Sequence, residues 1–179
     1  MKYSIALIAL MVCLTHGAEL PAVEGVAART VAALTDGLPA SGLGADYRLN
    51  SRLAVTAEYR RVELTIPRSR YLPRASGNAH AASIGMSLDV LRGESWRHGV
   101  AAGPVVVIAE TDQLLTRTAY GAAGRFYLHR SFGDDWGALG AASVAYIGRM
   151  RVEAVSNGNK GWIRDGVIAD FSVAVTRRF

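Results

Sequence analysis

The chain closes on Gly166-Val-Ile-Ala-Asp-Phe-Ser-Val-Ala-Val-Thr-Arg-Arg-Phe179, and the reading of this stretch decides the fold. Val167, Ala169, Phe171, Val173, Val175 and Phe179 share one parity, while Gly166, Asp170, Ser172, Thr176 and Arg178 share the other. Period-two alternation of this kind makes a strand with one apolar and one polar face. In water, such a strand at the end of a domain would be an open edge with an apolar face to hide. A barrel closed in lipid removes both difficulties, because the last strand pairs with the first and the apolar parity faces hydrocarbon. Arg177 breaks the apolar parity near the end, where a long cation reaches lipid headgroups.

Length and composition agree with a lipid-facing barrel. The chain has 179 residues and a net charge of +5, enough length for one domain. Half the residues are apolar, yet beyond the N-terminus no run reaches the ~18 residues of a spanning helix. The positive charge is almost all Arg, spread along alternating stretches and not gathered on one basic face, which argues against nucleic-acid binding. Met1–Ala18 reads as a cleaved secretory signal peptide. Lys2 supplies its positive start and Ile5–Leu14 its short apolar core. Thr15-His16-Gly17-Ala18 is the cleavage region, cut after Gly17 or Ala18. The chain then divides into a signal peptide, 1–18, and a barrel domain, 19–179. The single cysteine, Cys13, lies in the signal. The mature chain therefore has no disulfide, and its stability comes from the fold.

Seven further stretches precede the closing strand. Glu19–Asp36 allows two readings. Leu20, Val23, Ala27, Val31 and Leu34 form a helical stripe; alternatively Val26, Ala28, Thr30, Ala32 and Leu34 face lipid from a strand, with Arg29 inside. An even strand count selects the strand. Asp36–Ser41 has turn chemistry. The second strand, Gly42–Leu49, and the third, from Arg52, alternate most cleanly. Leu43, Ala45, Tyr47, Leu53, Val55, Ala57 and Tyr59 point out; Gly44, Asp46, Arg48, Thr56, Glu58 and Arg60 point in. A shared inner face requires partners of equal parity. That predicts the loop Asn50-Ser51-Arg52, with Leu49 opposite Leu53 and Glu58 opposite Gly44.

Pro67–Ala79 breaks the alternation and predicts a long loop. The fourth strand, His80–Val90, turns Ile84, Met86 and Leu88 out and Ser83, Gly85, Ser87 and Asp89 in. Arg92–His98 is a polar connection. The fifth strand, Gly99–Ala109, contains Pro104, which removes a ladder hydrogen bond and predicts a bulge or distortion. Glu110–Thr118 reads as a polar loop. The sixth strand, Ala119–Arg130, points Tyr120, Phe126 and Leu128 out and Arg125, Tyr127 and His129 in. Ser131–Trp136 is a turn. The seventh strand, Gly137–Arg151, points Val144, Tyr146 and Met150 out and Ser143 and Arg149 in. Ser156–Gly161 is the last loop tip. Connections alternate short and long, as periplasmic turns and outer loops do.

The predicted fold is therefore all-β: an eight-stranded antiparallel up-and-down transmembrane β-barrel. In this pattern the mature chain resembles the small outer-membrane barrels of the OmpA and OmpX type. Its ending, with Phe171, Val173, Val175 and a terminal Phe179, resembles the C-terminal assembly signal of bacterial outer-membrane proteins. The resemblance implies residence in the outer membrane of a Gram-negative cell, insertion by the barrel assembly machinery, both termini on the periplasmic side, and a monomer without cofactor.

Two sets of residues carry the functional expectations. Asp46, Glu58, Asp89 and Asp170 face Arg48, Arg60, Arg125 and Arg149 inside. Eight strands leave room only for side chains, and unpaired charges there are costly, so the set should form ion pairs. Arg149 with Asp170 is the expected pair, and the network is either self-satisfying or a narrow channel. Outside, Arg61 follows Tyr59 on the lipid-facing parity, with Arg68, Arg70 and Arg74 in the loop beyond. Guanidinium groups hold phosphate bidentately, so this set is a candidate site for lipopolysaccharide or another polyanion. The triplet His129-Arg130-Ser131 resembles part of the motif of outer-membrane lipid A deacylases. However, Phe132-Gly133 replaces the Asn-Ala that follows there, no Glu stands at the expected distance, and the triplet lies at the periplasmic end. No catalytic residue is assigned, and no His or carboxylate spacing predicts a metal. The expected role is structural or surface-interaction, with a lipid A-modifying enzyme or a channel as rivals.

Overall fold

A computed structural model describes residues 26–35, 38–66, 73–116, 118–155, 158–163 and 165–178. The signal segment Met1–Ala18, the stretch Glu19–Gly25, Arg68, Arg70 and Phe179 lie outside them. The strands in chain order are β1 (Val26–Thr35), β2 (Leu38–Arg48), β3 (Leu53–Ile66), β4 (Ala75–Arg92), β5 (Trp96–Thr111), β6 (Leu114–Thr116), β7 (Ala119–Phe132), β8 (Trp136–Ile147), β9 (Met150–Ala154), β10 (Lys160–Ile163) and β11 (Gly166–Arg178). Eight of them close a barrel in the order β1-β11-β8-β7-β5-β4-β3-β2, and β10-β9-β6 form a separate small sheet.

The alternation read from the sequence is the alternation of the wall. On β11, Val167, Phe171, Val173 and Val175 are exposed, whereas Asp170, Ser172, Ala174 and Thr176 are 6% exposed or less. The ambiguous N-terminal stretch is a strand over Val26–Thr35, paired on one side with β11 and on the other with β2. Gly44 stands opposite Glu58, and Leu49 N donates to Leu53 O at 2.9 Å, in the expected register. Asn50 Oδ1 accepts from the backbone N–H groups of Arg52 and Leu53, at 2.8 Å each, which closes the turn in the way Asn side chains favour.

Stagger follows from the register. From Val26 the opposed residues run Tyr47, Val55, Met86, Ala102, Gly124, Val144 and Ala169. Ala169 lies one step before Asp170, the partner of Thr35, so one circuit advances β1 by about ten residues, the kind of shear that tilts eight strands by ~35–45°. Inward side chains from non-adjacent strands thereby meet at one level.

Several expected boundaries move. Leu38–Ser41 belong to β2, Ala75–Ala79 to β4, His98 to β5 and Ser131 to β7; each stretch is too rich in small or polar residues to advertise a strand, and pairing with a neighbour recruits it. Pro104 causes no register shift. It sits regularly opposite Ala122, but on its other side pairing with β4 lapses between Ser83–Val105 and Met86–Ala102, the local distortion expected at this proline. Gly85 and Gly103 meet there, so closely that a Cβ on Gly103 would stand 2.5 Å from Gly85 Cα. The bulge lies instead between Asp89 and Leu91, and it leaves Val90 and Leu91 both exposed. Finally, the loops read as polar contain β6 and β10, and the seventh strand ends at Ile147. Met150 then begins β9 and is 5% exposed, not lipid-facing.

Candidate functional site

The barrel interior has two halves. At the end bearing the short turns it is charged. Arg29 Nη1 bridges both carboxylate oxygens of Asp46, 2.8 Å each, and its Nη2 lies 3.1 Å from Glu58 Oε2. Glu58 Oε1 accepts from Arg125 Nη2 at 2.7 Å and from Arg60 Nε. Arg60 Nη1 donates in turn to Asp170 Oδ2, which also receives Ser143 Oγ at 2.6 Å. Below this chain, Asp89 accepts from Arg48 Nη2 at 2.8 Å and from the Tyr127 hydroxyl at 2.6 Å. Arg97 Nη2 meets His129 Nδ1 at 3.2 Å, and His129 Nε2 meets Thr176 Oγ1 at 3.0 Å. A guanidinium can only donate, so Nδ1 accepts and the ring proton sits on Nε2.

Glycines make room for these contacts. A Cβ on Gly44 would come within 2.4 Å of Arg29 Nε, and one on Gly99 within 2.4 Å of the Tyr127 hydroxyl. At the long-loop end the interior is apolar. Ile66, Ala75, Ala109 and Ala119 from the wall pack against Leu114, Met150, Val152 and Ala154 from the small sheet.

Of the charges predicted to be internal, Asp46, Glu58, Arg60, Arg125 and Asp170 join one network, and Arg48 with Asp89 a second. Arg149 is not internal. Its side chain is 72% exposed, and its Nε lies 3.2 Å from Asp165 Oδ1, because the chain leaves the barrel wall after Ile147 and strand parity no longer carries. Asp170 is instead served by Arg60. Two members were missing from the expected set. Arg29 belongs to the stretch that allows two readings, and Arg97 to the stretch that reads as a polar connection. The inward parity of the extended β5 is the sign that would have found Arg97.

On the outer surface, Trp96, Phe132 and Trp136 ring the short-turn end and Tyr59, Tyr120 and Tyr146 the long-loop end, all exposed. Arg130 lies over the Trp96 and Phe132 rings at 4.8 and 5.4 Å, and Arg177 over Trp136 at 5.3 Å. Aromatic belts around an apolar band are the mark of a membrane barrel. Just past Tyr59, Arg61 is exposed and its Nε donates to Asn78 Oδ1 at 3.0 Å. The Tyr59 hydroxyl bonds His80 Nδ1 at 2.6 Å, and His80 Nε2 stands 3.9 Å from Glu110. Arg74 is exposed at the end of the loop above. Among the described residues, no three His, Cys, Asp or Glu side chains gather as metal ligands would. Outside the wall, hydrogen bonds from Tyr146 and then Arg149 hold the Asp165 carboxyl below the usual carboxylate range.

No protein-family model matches the sequence, and no curated protein matches it. Solved structures do. The outer-membrane protein OprG from Pseudomonas aeruginosa superposes with a TM-score of 0.59 at 11% identity, over 88% of this chain and 97% of that one. The outer-membrane protein AlkL, solved in DMPC lipid bilayers, gives 0.60 at 11% identity, over 90% and 93%. Ail, the attachment invasion locus protein of Yersinia pestis, gives 0.51 at 13% identity, over 87% and 99%. Identities this low speak for architecture alone: the chain has the fold of the small eight-stranded outer-membrane β-barrels.

Proposed function

We propose that the protein resides in the outer membrane as a monomeric barrel with a structural or surface-interaction role. On this reading Met1–Ala18 exports it, and the barrel assembly machinery recognises the last strand through Phe171, Val173, Val175 and Phe179. Its contact surface is the basic long-loop end, where Arg61 and Arg74, with Arg68 and Arg70, engage the phosphates of lipopolysaccharide or a comparable polyanion.

The observation that carries this reading is the position of Arg61. It is the next outward residue after Tyr59, about 6–7 Å further along β3, which takes a side chain from the aromatic belt into the headgroup layer. Asn78 accepts from its Nε and steadies the guanidinium there. Support of a weaker kind comes from Ail, a barrel of the same fold that was crystallised with the heparin analogue sucrose octasulfate.

Replacing Arg61, Arg68, Arg70 and Arg74 with Gln should weaken lipopolysaccharide binding by the purified barrel, and wild-type binding should decline with added salt. Arg60→Gln should lower stability instead, since Arg60 belongs to the interior. Full affinity of the four-Gln variant at low salt would end the proposal.

A further inference from the structure

The charged half of the interior encloses a cavity of ≈ 60 Å³ at the short-turn end. Five guanidinium groups line it: Arg29, Arg48, Arg97, Arg125 and Arg178. The carboxylates in reach are fewer. Asp46 is taken by Arg29, Glu58 by Arg125 and Arg60, and Asp89 by Arg48 and Tyr127. Arg97 and Arg178 remain. Arg97 Nη1 is buried without a hydrogen-bond partner; its nearest carboxylate oxygen, Asp89 Oδ2, is 4.0 Å away and already bound to Arg48 at 2.8 Å. Arg178 lies on the inner parity of β11, and its side chain makes no ion pair among the described residues. His129 adds no compensating negative charge. Its Nδ1 merely accepts from Arg97 Nη2, leaving Nη1 as the N–H to be satisfied.

We propose that this mouth binds one small tetrahedral oxyanion, with inorganic phosphate as its representative, between Arg97 and Arg178. Surplus guanidinium charge against a low-dielectric wall is costly until an anion answers it, and an oxyanion offers several acceptors to N–H donors of fixed direction. The size agrees. At ~10–15 Å³ of such space per water, the cavity takes roughly four to six non-hydrogen atoms, and phosphate has that many. Lipid headgroups lie outside the wall and do not reach Arg97, so the anion is a free one. The polyanion surface proposed above is at the opposite end of the barrel, and each site can bind or fail without the other.

The test uses the full mature chain, refolded in a nonionic detergent free of phospholipid. Its unfolding temperature is followed as inorganic phosphate replaces bulky gluconate at constant ionic strength, and equilibrium dialysis with labelled phosphate counts bound ions. The expected result is a saturable rise in unfolding temperature with one phosphate per barrel. Arg97→Gln and Arg178→Gln should each weaken phosphate about tenfold or more, the loss of one charge-assisted contact. Arg178 is an exposed rim position, so Arg178→Gln keeps the comparison open even if Arg97→Gln does not fold. Arg130→Gln and Arg177→Gln, outward cations at the same end, should leave the response intact. No saturable rise in the wild type, an undiminished rise in Arg178→Gln, or a rise that appears only with anionic phospholipid would each overturn the site.

Discussion

Asp170 shows most directly how single residues hold this barrel. Its carboxylate accepts from Arg60, from Ser143 at 2.6 Å and from Thr35 at 3.2 Å, and the residue is 5% exposed. Asp170→Leu strips Arg60 of this partner and should destabilise the barrel by about 3–5 kcal/mol. Val173→Leu, three positions on but facing lipid, should be close to neutral. Chemical unfolding of both variants in the same lipid decides the matter, and equal midpoints would refute the account. The inward placement of Asp170 was legible from parity alone. Its partner was not. Parity assigns a face to a side chain, whereas Arg60 reaches Asp170 from β3, which is not a sheet neighbour of β11.

At the scale of elements, the long strands announce themselves and the short ones do not. β6, β9 and β10 are too short for period-two alternation to stand out, and the apolar Leu114, Met150, Val152 and Ala154 gain their meaning only by covering the barrel mouth. Tyr146 on β8 donates to Asp165 at 2.9 Å, and Arg149 joins it from the other side; together they tie the start of β11 to the end of β8 beside the small sheet. The Asp165 carboxyl is depressed in the folded state. Its contribution is therefore present above the ordinary carboxylate pKa of about 4 and is lost as pH falls through the lower folded value. Acidification below about pH 4 should loosen this junction. Fluorine-labelled tryptophan NMR can follow Trp162 in β10 separately from Trp96 and Trp136. A change at Trp162 in acid, already present at neutral pH in Asp165→Asn, is expected, and identical pH profiles for the two proteins would refute the tie.

At the scale of the whole molecule, the polar cavity and the apolar cluster occupy opposite ends of one interior. An ion passing through would have to shed its hydration between Ile66, Leu114, Met150 and Val152, at several kcal/mol or more. Planar bilayers containing the folded protein should therefore show no steady conductance; stepwise, charge-selective currents would mean that the cluster is no seal. The sequence by itself determined the barrel, the inner and outer faces of most of its wall and the register of β2 with β3. These follow from the two-residue period of a strand and from the need to share one apolar face, both local properties. Tertiary structure alone decided which guanidinium meets which carboxylate, where the wall bulges, and which end the small sheet closes. Those outcomes depend on the stagger of about ten residues around the barrel, which brings Arg29, Glu58, Arg125 and Asp170 together from strands far apart in the chain.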